Sequence, residues 1–234
     1  TADLPVTPTL LIGRAELVNR LAGLLAPGAT ITLLGPAGIG KTRVAVELAR
    51  RATFERTHFI DLSAVHDDHL VSSALVVALG VVVEPGTAPT DALVDHIDHD
   101  DVLLVLDNCE QVVRGAADLV ESIAGSCPSC TVVATSRERL GLPMERVVRV
   151  EPLTAGPNGS GVELFFDRAH RLGVDLPPAA WSESAADLCA ALDGLPLAIE
   201  LAAARTTVLS PSEIVSALTD RFRVLRTPEG TGLE

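Results

Sequence analysis

The sequence predicts an α/β fold in which a parallel β-sheet is covered by helices and is followed by a small all-helical part. Three observations lead to this prediction. Apolar, strand-like runs alternate with helical stretches as far as residue 153, one glycine-rich segment joins such a run directly to a helix, and no convincing strand follows Thr154. Strands that are apolar throughout are typical of parallel sheets with both faces buried.

The core begins with a helix, a strand and a second helix. Leucines at helical spacing predict a helix over residues 15–26, which Pro27 and Gly28 end. A β-rich run over 30–34 then passes directly into the glycine-rich segment, and the helical pattern resumes over 42–51. This strand–loop–helix order is the setting that a phosphate-binding loop requires.

Four further strands complete the predicted sheet. They are short apolar runs, and most of the stretches between them have the residue spacing of helices. The predicted strands are 57–62, 102–106, 131–134 and 147–150, and the predicted helices are 68–79, 90–97 and 112–124.

The rest of the chain is predicted to be helical. The predicted helices are 161–172, 182–192, 196–206 and 211–221. Gly194-Leu195-Pro196 separates two of them, and Pro196 is well placed as the first residue of the later helix. The predicted organisation is an N-terminal arm (1–9), an α/β core (10–153), a helical subdomain or lid (154–225) and a tail with a cloning remnant (226–234). Both ends look cut, so we expect a module of a longer protein.

Composition limits the classes of function. The 234 residues are 47% hydrophobic but only 3% aromatic, with no Tyr, so the core must consist of Leu, Val, Ile and Ala. The net charge of −13 opposes binding to a nucleic-acid backbone. No apolar run reaches membrane-spanning length and no signal sequence opens the chain, so we expect a cytoplasmic protein.

Two sets of metal-ligand types are better explained without a metal. Cys127 and Cys130 have the spacing of a redox or zinc pair, but no second pair completes a zinc site, which favours ordinary reduced thiols. The pairs His66/His69 and His96/His99 have a spacing that could place two metal ligands on one helix face. They lie among aspartates, which favours a solvated face.

Residues 35–42 form the most specific motif of the chain. Gly35-Pro36-Ala37-Gly38-Ile39-Gly40-Lys41-Thr42 matches G-x-x-x-x-G-K-[ST] in full, and Lys41 is the only lysine. Backbone N–H groups of such a loop cradle phosphates, the lysine binds β- and γ-phosphate oxygens, and the Thr42 hydroxyl ligates Mg²⁺. A chance match is the alternative, but the flanking strand and helix favour a P-loop NTPase core.

Asp107 ends the apolar run 102–106 and is the predicted second ligand of Mg²⁺, through water. The alternative is an aspartate that caps a following helix. Asn108 stands where a second acid could follow, and Glu110 lies three residues after Asp107. Glu110 could polarise the attacking water or merely add charge to the first turn of the next helix, and the sequence does not decide between these roles.

Thr135, Ser136 and Arg137 end another predicted strand and would emerge at the same sheet edge as the phosphates, because parallel strands present their carboxyl ends together. Arg137 could reach a γ-phosphate and report its presence. The alternative is a surface arginine paired with Glu138 or Glu145; we favour the sensing role.

Taken together, these motifs resemble the STAND class of signal-transduction ATPases, which includes the NB-ARC domains. The resemblance covers about residues 10–225 and is greatest to large bacterial transcriptional regulators. It is carried, in family order, by Ile12-Gly13-Arg14-Ala15-Glu16, the glycine loop, Leu104-Val105-Leu106-Asp107-Asn108, Thr135-Ser136-Arg137 and Gly194-Leu195-Pro196-Leu197-Ala198.

The resemblance implies roles for individual positions. Ile12, Gly13 and Arg14 would lie near the adenine and ribose, Pro196 would pack on the base, and Arg137 would sense the γ-phosphate. Asn108, where many relatives carry a second acid, puts hydrolysis in question. The predicted nucleotide-binding residues are Ile12, Gly13, Arg14, Gly35, Pro36, Ala37, Gly38, Ile39, Gly40, Lys41, Thr42, Arg43 and Pro196. The predicted catalytic residues are Lys41, Asp107, Glu110 and Arg137, and the predicted metal ligands are Thr42 and Asp107.

The expected function is an ATP/ADP-dependent switch with slow Mg²⁺-dependent hydrolysis that controls a multidomain bacterial transcriptional regulator. The alternative is a nucleotide-gated oligomerisation scaffold with negligible hydrolysis. A DNA-bound loader ATPase of the AAA+ class would need a basic surface and a trans-acting arginine finger, and the sequence identifies neither. The expected partners are nucleotide and the DNA-binding and helical-repeat domains of the parent protein. Nucleotide-dependent self-association is left open, and neither direct nucleic-acid binding nor membrane binding is expected.

Overall fold

The computed structural model describes residues 4–97, 101–175 and 177–225. The chain divides between Glu151 and Pro152 into two compact units, an α/β unit and a helical unit. The predicted tail, residues 226–234, and His99 lie outside the described residues. Within the described part of the chain, no helix combines the length and the apolar composition needed to cross a membrane.

The α/β unit contains a five-stranded sheet in which all neighbouring strands are parallel, as predicted. Its strands are β1 (Thr30–Leu34), β2 (Arg56–Asp61), β3 (Val102–Asp107), β4 (Thr131–Ser136) and β5 (Glu145–Arg149), in the spatial order β2-β3-β4-β1-β5. Strand β4 therefore lies between β1 and β3. The register pairs Leu34 with Ser136 and Asp61 with Asp107, so the carboxyl ends of four strands meet at one edge.

Helices cover both faces of this sheet. They are α1 (Ala15–Ala22), α2 (Lys41–Arg51), α3 (Val71–Leu79), α4 (Pro89–Ile97) and α5 (Val113–Ser126), with short 3₁₀ turns at Asp68–Leu70 and Cys109–Gln111. Alternate residues of β3 point to opposite faces. One set joins the apolar core beneath α3, α4 and α5, and the other faces α2, against which α1 packs. All six residues of β3 are buried, which explains its unbroken apolar sequence.

Two helices of the α/β unit differ from their predicted extents by several residues; in the helical unit, one helix begins at Pro178 instead of residue 182 and another ends at Leu225 instead of residue 221. The first ends at Ala22 instead of residue 26, because the N–H groups of Leu24 and Leu25 bond to carbonyls only three residues back and tighten the chain into a turn. The helix predicted over 68–79 is divided into the first 3₁₀ turn and α3. The Asp67 side chain accepts the His69 N–H and starts that turn, and α3 begins at Val71.

The helical unit contains α6 (Ser160–Arg171), α7 (Pro178–Ala191), α8 (Pro196–Arg205) and α9 (Pro211–Leu225). Helix α6 packs on α7 and α8, and α7 packs on α9. The turn before α8 requires glycine at Gly194, which has a φ of 62° and whose N–H and carbonyl bond to Cys189 and Leu153. A Cβ at this position would lie 2.2 Å from the Leu153 carbonyl oxygen. The Gly194-Leu195-Pro196 motif therefore has a structural reason within this unit.

Candidate nucleotide-binding site

The glycine loop connects the end of β1 to the first turn of α2. Gly38 and Gly40 have φ values of 77° and 95°, in the left-handed region that favours glycine. Gly40 is the residue immediately before α2, and no atom lies within 4 Å of where its Cβ would be. Such backbone conformations let successive N–H groups converge on an anion, next to the positive end of a helix.

The ammonium group of Lys41 is held inside the loop. The residue is only 7% exposed, and Nζ donates to the carbonyl oxygens of Gly35 at 2.9 Å and Pro36 at 3.1 Å. An ammonium has three donors, so one remains for a phosphate oxygen. Burial lowers the pKa of Lys41, and nearby Arg137 acts in the same direction, whereas Glu110 and Asp107 oppose the shift. These three charged groups are therefore the electrostatic surroundings of the lysine.

Asp107, at the end of β3, connects three elements through its carboxylate. The Thr42 hydroxyl, in the first turn of α2, lies 2.8 Å from Oδ1 and 3.0 Å from Oδ2. The Thr135 hydroxyl donates to Oδ1 at 2.6 Å. Burial raises the pKa of Asp107, although both hydroxyl groups oppose this shift. The carboxylate is thus engaged across the sheet edge and does not cap a helix, which was the alternative interpretation.

Asn108 links Asp107 to the neighbouring strand. Its Nδ2 donates to Asp61 Oδ1 at 2.9 Å and to Asp107 Oδ2 at 3.1 Å, and its backbone N–H donates to the Thr135 hydroxyl at 3.1 Å. Its φ of 63° lies in the left-handed region, which asparagine tolerates better than most residues. Partial burial acts to raise the pKa of Asp61, but hydrogen bonds from Asn108 and Ser63 bring it below the ordinary value.

Arg137 and Glu110 form an ion pair at the same edge. Arg137 Nε lies 3.1 Å from Glu110 Oε1, and the side chains are 57% and 12% exposed. Glu110 Oε2 is buried and has no hydrogen-bond partner among the residues that the structure describes. The alternative interpretation of Arg137 was a surface arginine paired with Glu138 or Glu145. The Glu145 carboxylate instead accepts the N–H groups of Leu140 and Gly141. Glu110 belongs to the second 3₁₀ turn, so the structure leaves its two predicted roles open.

The segment before α1, residues 12–14, contacts the glycine loop through Arg14. Gly13 has a φ of 69°, and Arg14 follows it as a buried residue. Arg14 Nη2 donates to the carbonyl oxygen of Ile39 at 3.3 Å, inside the loop. Burial lowers the pKa of Arg14, and Glu151 opposes this shift. Ile12 is half-buried beside this glycine. Arg14 thus contacts the glycine loop, while the predicted places of Ile12, Gly13 and Arg14 near the adenine and ribose stay a prediction.

Arg43 was predicted among the nucleotide-binding residues, but its side chain is engaged elsewhere. Its Nη2 donates to the carbonyl oxygens of Thr9 and Leu10, at 2.8 Å and 2.9 Å, and to the Thr9 hydroxyl at 2.8 Å. Arg50, two turns further along α2, binds Thr7 and Pro5 in the same way. The N-terminal arm is therefore fixed along α2, and binding of nucleotide by Arg43 stays a prediction.

The remaining predicted positions take no part in the contacts described for this edge. Pro196 begins α8, and its contact with a base stays a prediction. All four cysteines are buried and none forms a disulfide; burial raises the pKa of Cys130 to about 12, with Cys127 adding to the shift. His66 and His69 are exposed. In the described ranges, no three His, Cys, Asp or Glu side chains form a group that could hold a metal.

The residues around Asp107 fit a bound Mg²⁺. A threonine hydroxyl and carboxylates are hard oxygen donors of the kind that Mg²⁺ prefers. A cation would offset the burial that raises the pKa of Asp107, and it would give the unpartnered Glu110 Oε2 a neighbouring water or charge. Thr42 and Asp107 would hold it, and their assignment as metal ligands stays a prediction.

Two residues that the site predictions omitted contact its centre. Thr135, which the sequence places at the phosphate edge without a role, touches both Asp107 and Asn108. Asp61 reaches Asn108 from the end of β2. The available signal was a polar residue at the carboxyl end of an apolar strand. Asp61 was hidden because the predicted strand continued through it to residue 62.

Sequence comparisons find relatives of this chain among proteins of mycobacteria. No protein-family model matches the chain. An "Uncharacterized protein" of Mycobacterium tuberculosis is 40% identical over 229 residues, which are 96% of this chain and 58% of that protein. A second protein of Mycobacterium tuberculosis, provisionally named as an HTH-type transcriptional regulator, is 38% identical over 207 residues, 88% of this chain and 23% of its own length. The chain thus spans 58% or less of these curated relatives.

Solved structures resemble the fold at low identity. A STAND protein with a tetratricopeptide repeat sensor from Pyrococcus horikoshii has a TM-score of 0.62 and 17% identity, over 96% of this chain and 34% of that chain. The Aeropyrum pernix ORC2 protein, solved in ADPNP and ADP complexes, has a TM-score of 0.60 and 13% identity, over 93% and 70%. Together with the sheet order and the glycine loop, these likenesses show that the chain has the fold of the P-loop NTPases.

Proposed function

We propose that this chain is the nucleotide-responsive switch of a larger regulatory protein, which binds ATP or ADP with Mg²⁺ and hydrolyses ATP slowly. The observation that carries the proposal is the contact of Thr42 with Asp107 directly after the loop that holds Lys41. A hydroxyl and a buried ammonium from the adjacent residues 41 and 42 meet a buried carboxylate from a separate strand at one sheet edge, and no packing requirement explains that combination.

The glycine loop would bind the phosphates. The N–H groups of residues 37–41 and the start of α2 would supply donors and positive potential, and the Lys41 ammonium would add a mobile charge at the β- and γ-phosphates. Lys41 already bonds two loop carbonyls, so the loop and the lysine would bind phosphate as one preformed unit. Preformed donors reduce the ordering cost of binding.

Thr42 and Asp107 would hold Mg²⁺, which neutralises phosphate charge and polarises the bond to the γ-phosphate when bound. The Thr42 hydroxyl would turn its hydrogen away from the carboxylate and offer a lone pair. Thr135 would keep Asp107 in place from the other side, because its hydroxyl donates to Oδ1 independently of the nucleotide.

Arg137 and Glu110 would distinguish ATP from ADP. The guanidinium group is exposed enough to swing toward a γ-phosphate, which competes with Glu110 for the same positive charge. Release of Glu110 would leave a carboxylate free to orient or deprotonate an attacking water. In this arrangement, one ion pair couples detection of the γ-phosphate to hydrolytic competence.

The regulatory context is proposed from the relatives. One relative carries a provisional transcriptional-regulator name and one structural neighbour is a STAND protein with a repeat sensor. We infer a STAND, NB-ARC-like module that acts on attached DNA-binding and helical-repeat domains, with nucleotide-dependent self-association as one output. Ile12, Gly13 and Arg14 would adjoin the base and ribose, and Pro196 would pack on the base from the helical unit.

A scaffold that binds nucleotide without appreciable hydrolysis is the second candidate. It is favoured by Asn108, an amide in a position where an acid would add catalytic charge, and by the ion pair that occupies Glu110. Both candidates require the same phosphate and Mg²⁺ contacts, so they differ only in turnover.

Nucleotide binding tests the common part of the proposal. Purified chain is stripped of nucleotide, and fluorescent ATP and ADP analogues are titrated with Mg²⁺ and with EDTA. We expect binding of both nucleotides, tightened by Mg²⁺. A chain that binds neither nucleotide would contradict the proposal.

Phosphate release then separates the two candidates. We expect slow release from wild type and at least a 10-fold slower rate from Glu110→Gln, because the amide cannot accept a proton. Lack of release from either protein, with binding intact, would leave the scaffold.

A further inference from the structure

The hydrogen bond between Asp61 and Asn108 supports an inference that rests on the proposed function and concerns the same Mg²⁺ site. The Asn108 amide has two N–H donors, and both meet carboxylates on adjacent strands: Asp61 Oδ1 at 2.9 Å and Asp107 Oδ2 at 3.1 Å. The strand register places these two aspartates directly side by side. The amide is therefore a bridge between two acids that would otherwise repel each other.

We propose that Asp61 is a positioning residue for Mg²⁺-dependent nucleotide binding, and that it acts on Asp107 through the Asn108 amide. Asp107 Oδ1 accepts the Thr135 hydroxyl, which fixes one oxygen of the carboxylate. The second oxygen is oriented by the amide, whose rotation is fixed in turn by Asp61. Residues that orient a metal ligand in this way affect metal affinity without touching the metal.

The backbone at Asn108 supports this function. Its left-handed φ of 63° and the hydrogen bond from its N–H to Thr135 hold the residue in one orientation over the strand end. An acid at position 108 would have no proton to donate and would face both carboxylates. The amide at position 108 and the acid at position 61 therefore form a matched pair.

Asp61 also makes a purely structural contact, and the test must separate the effect of that contact from the effect of the bond to Asn108. Its Oδ1 accepts the Ser63 N–H at 2.8 Å, as a carboxylate does in a local turn. Asp67 provides a matched control in the following loop, because its Oδ1 accepts the His69 N–H at 3.0 Å in a turn of the same spacing. No contact links Asp67 to Asp107 in the described part of the molecule.

The experiment measures the affinity for a fluorescent ADP analogue with Mg²⁺ and with EDTA, and the ratio gives the gain due to Mg²⁺. We expect Asp61→Ala to reduce this gain about 10-fold and leave the affinity in EDTA unchanged. Asp61→Asn retains an oxygen that accepts from both Ser63 and Asn108, so most of the gain should return. Asp67→Ala should behave as wild type in both conditions.

A double-mutant cycle tests whether Asp61 acts through the amide. Asn108→Gly removes the amide without opposing the left-handed backbone, and we expect it to lower the Mg²⁺ gain at least as much as Asp61→Ala. The double variant should be no weaker than Asn108→Gly alone, because the two residues act in series. If Asp61→Ala does not fold, Asp61→Ser retains a turn acceptor and takes its place.

Three results would overturn the inference while the proposed function stands. They are a wild-type Mg²⁺ gain in Asp61→Ala, equal losses with Mg²⁺ and with EDTA, and additive effects in the cycle. Absence of nucleotide binding by wild type would overturn the proposed function itself, and this inference with it.

Discussion

In the helical unit, the buried guanidinium of Arg168 lies among carboxylates, whereas in the α/β unit the buried ammonium of Lys41 meets only backbone carbonyls among the described residues. Arg168 Nη2 lies 2.9 Å from Glu200 Oε1, and Nη1 contacts Asp167. Glu200 lies on α8 and Arg168 on α6, so the ion pair joins two helices that pack closely. This buried charge is therefore paired within its own unit.

Lys41 and Asp107 have the opposite character. Burial disfavours the charged form of each, and the contacts that they make are with neutral groups. Such an arrangement is costly for the empty protein and becomes favourable when a ligand supplies the missing charges. The comparison therefore teaches that the buried charge of the helical unit serves its packing, while that of the α/β unit serves a ligand.

The largest effect should come from Lys41→Ala. We expect ATP and ADP affinity to fall by about 100-fold, since a charge-assisted contact to phosphate is lost. The free energy of unfolding without nucleotide should not decrease, because a buried charge is removed with it. Titration with fluorescent nucleotides and urea unfolding followed by circular dichroism measure the two quantities. Unimpaired nucleotide affinity in this variant would contradict the view that the buried charge of Lys41 serves a ligand.

Arg168→Met tests whether the buried charge of the helical unit serves its packing. We expect the helical unit to lose about 2 kcal/mol of stability, because Glu200 and Asp167 both lose the buried guanidinium, although Asp167 keeps Arg171. Trp181, the only tryptophan, lies on α7, so its fluorescence during urea unfolding follows this unit alone. Arg171→Met is the matched control: its more exposed guanidinium binds the same Asp167 at 2.9 Å and should contribute below about 0.5 kcal/mol. Equal losses of stability in both variants would show that the buried arginine contributes no more than the exposed one.

The sequence predicts most of the fold because its signals are local. The apolar residues of β3 and the contiguous pattern of residues 35–42 can be read without knowledge of other segments. The α/β architecture and its parallel sheet follow from them. Thr42 and Asp107, 65 positions apart, were paired only because the motif assigns both to one metal.

Contacts between distant side chains could not be predicted in this way. The pairing of Arg137 with Glu110, the binding of Arg43 to the arm and the link from Asp61 to Asn108 depend on strand order and helix register. No residue spacing encodes them, since each joins segments from different elements. The sequence predicts which charged residues gather at the sheet edge, but it does not predict which of them pair with each other.

Arg137→Ala gives a smaller and more selective effect. If the guanidinium senses a γ-phosphate, ATP affinity should fall about 10-fold and ADP affinity should not change, because only ATP offers that group. Arg139→Ala, an exposed arginine two residues later, should leave both affinities unchanged. Competition titrations with ATP and ADP provide the measurement. An equal loss for both nucleotides would show that Arg137 contributes general positive potential and does not distinguish them.

The smallest effect concerns the stability of the nucleotide-free chain in Asp107→Asn. Burial raises the pKa of Asp107 in the folded state, so its ionised form opposes folding at every pH above the raised value. The amide removes this cost, and we expect a gain of up to about 1 kcal/mol at pH 7.5, limited by the loss of charge-assisted hydrogen bonds from the threonine hydroxyls.

The sign of the pH dependence follows from the same shift. As pH falls through the folded-state pKa, the wild-type carboxyl takes up its proton, and its cost begins to decline. The difference between wild type and Asp107→Asn should therefore shrink toward acid pH and vanish below the ordinary carboxyl pKa of about 3.9. Urea unfolding at a series of pH values measures it. A variant that is less stable than wild type at neutral pH, with the deficit closing in acid, would mean that the carboxylate stabilises the empty site. Asp107 would then be a buried charge that stabilises its own unit, as Arg168 is. Lys41 alone, of these three residues, would be a buried charge that serves a ligand.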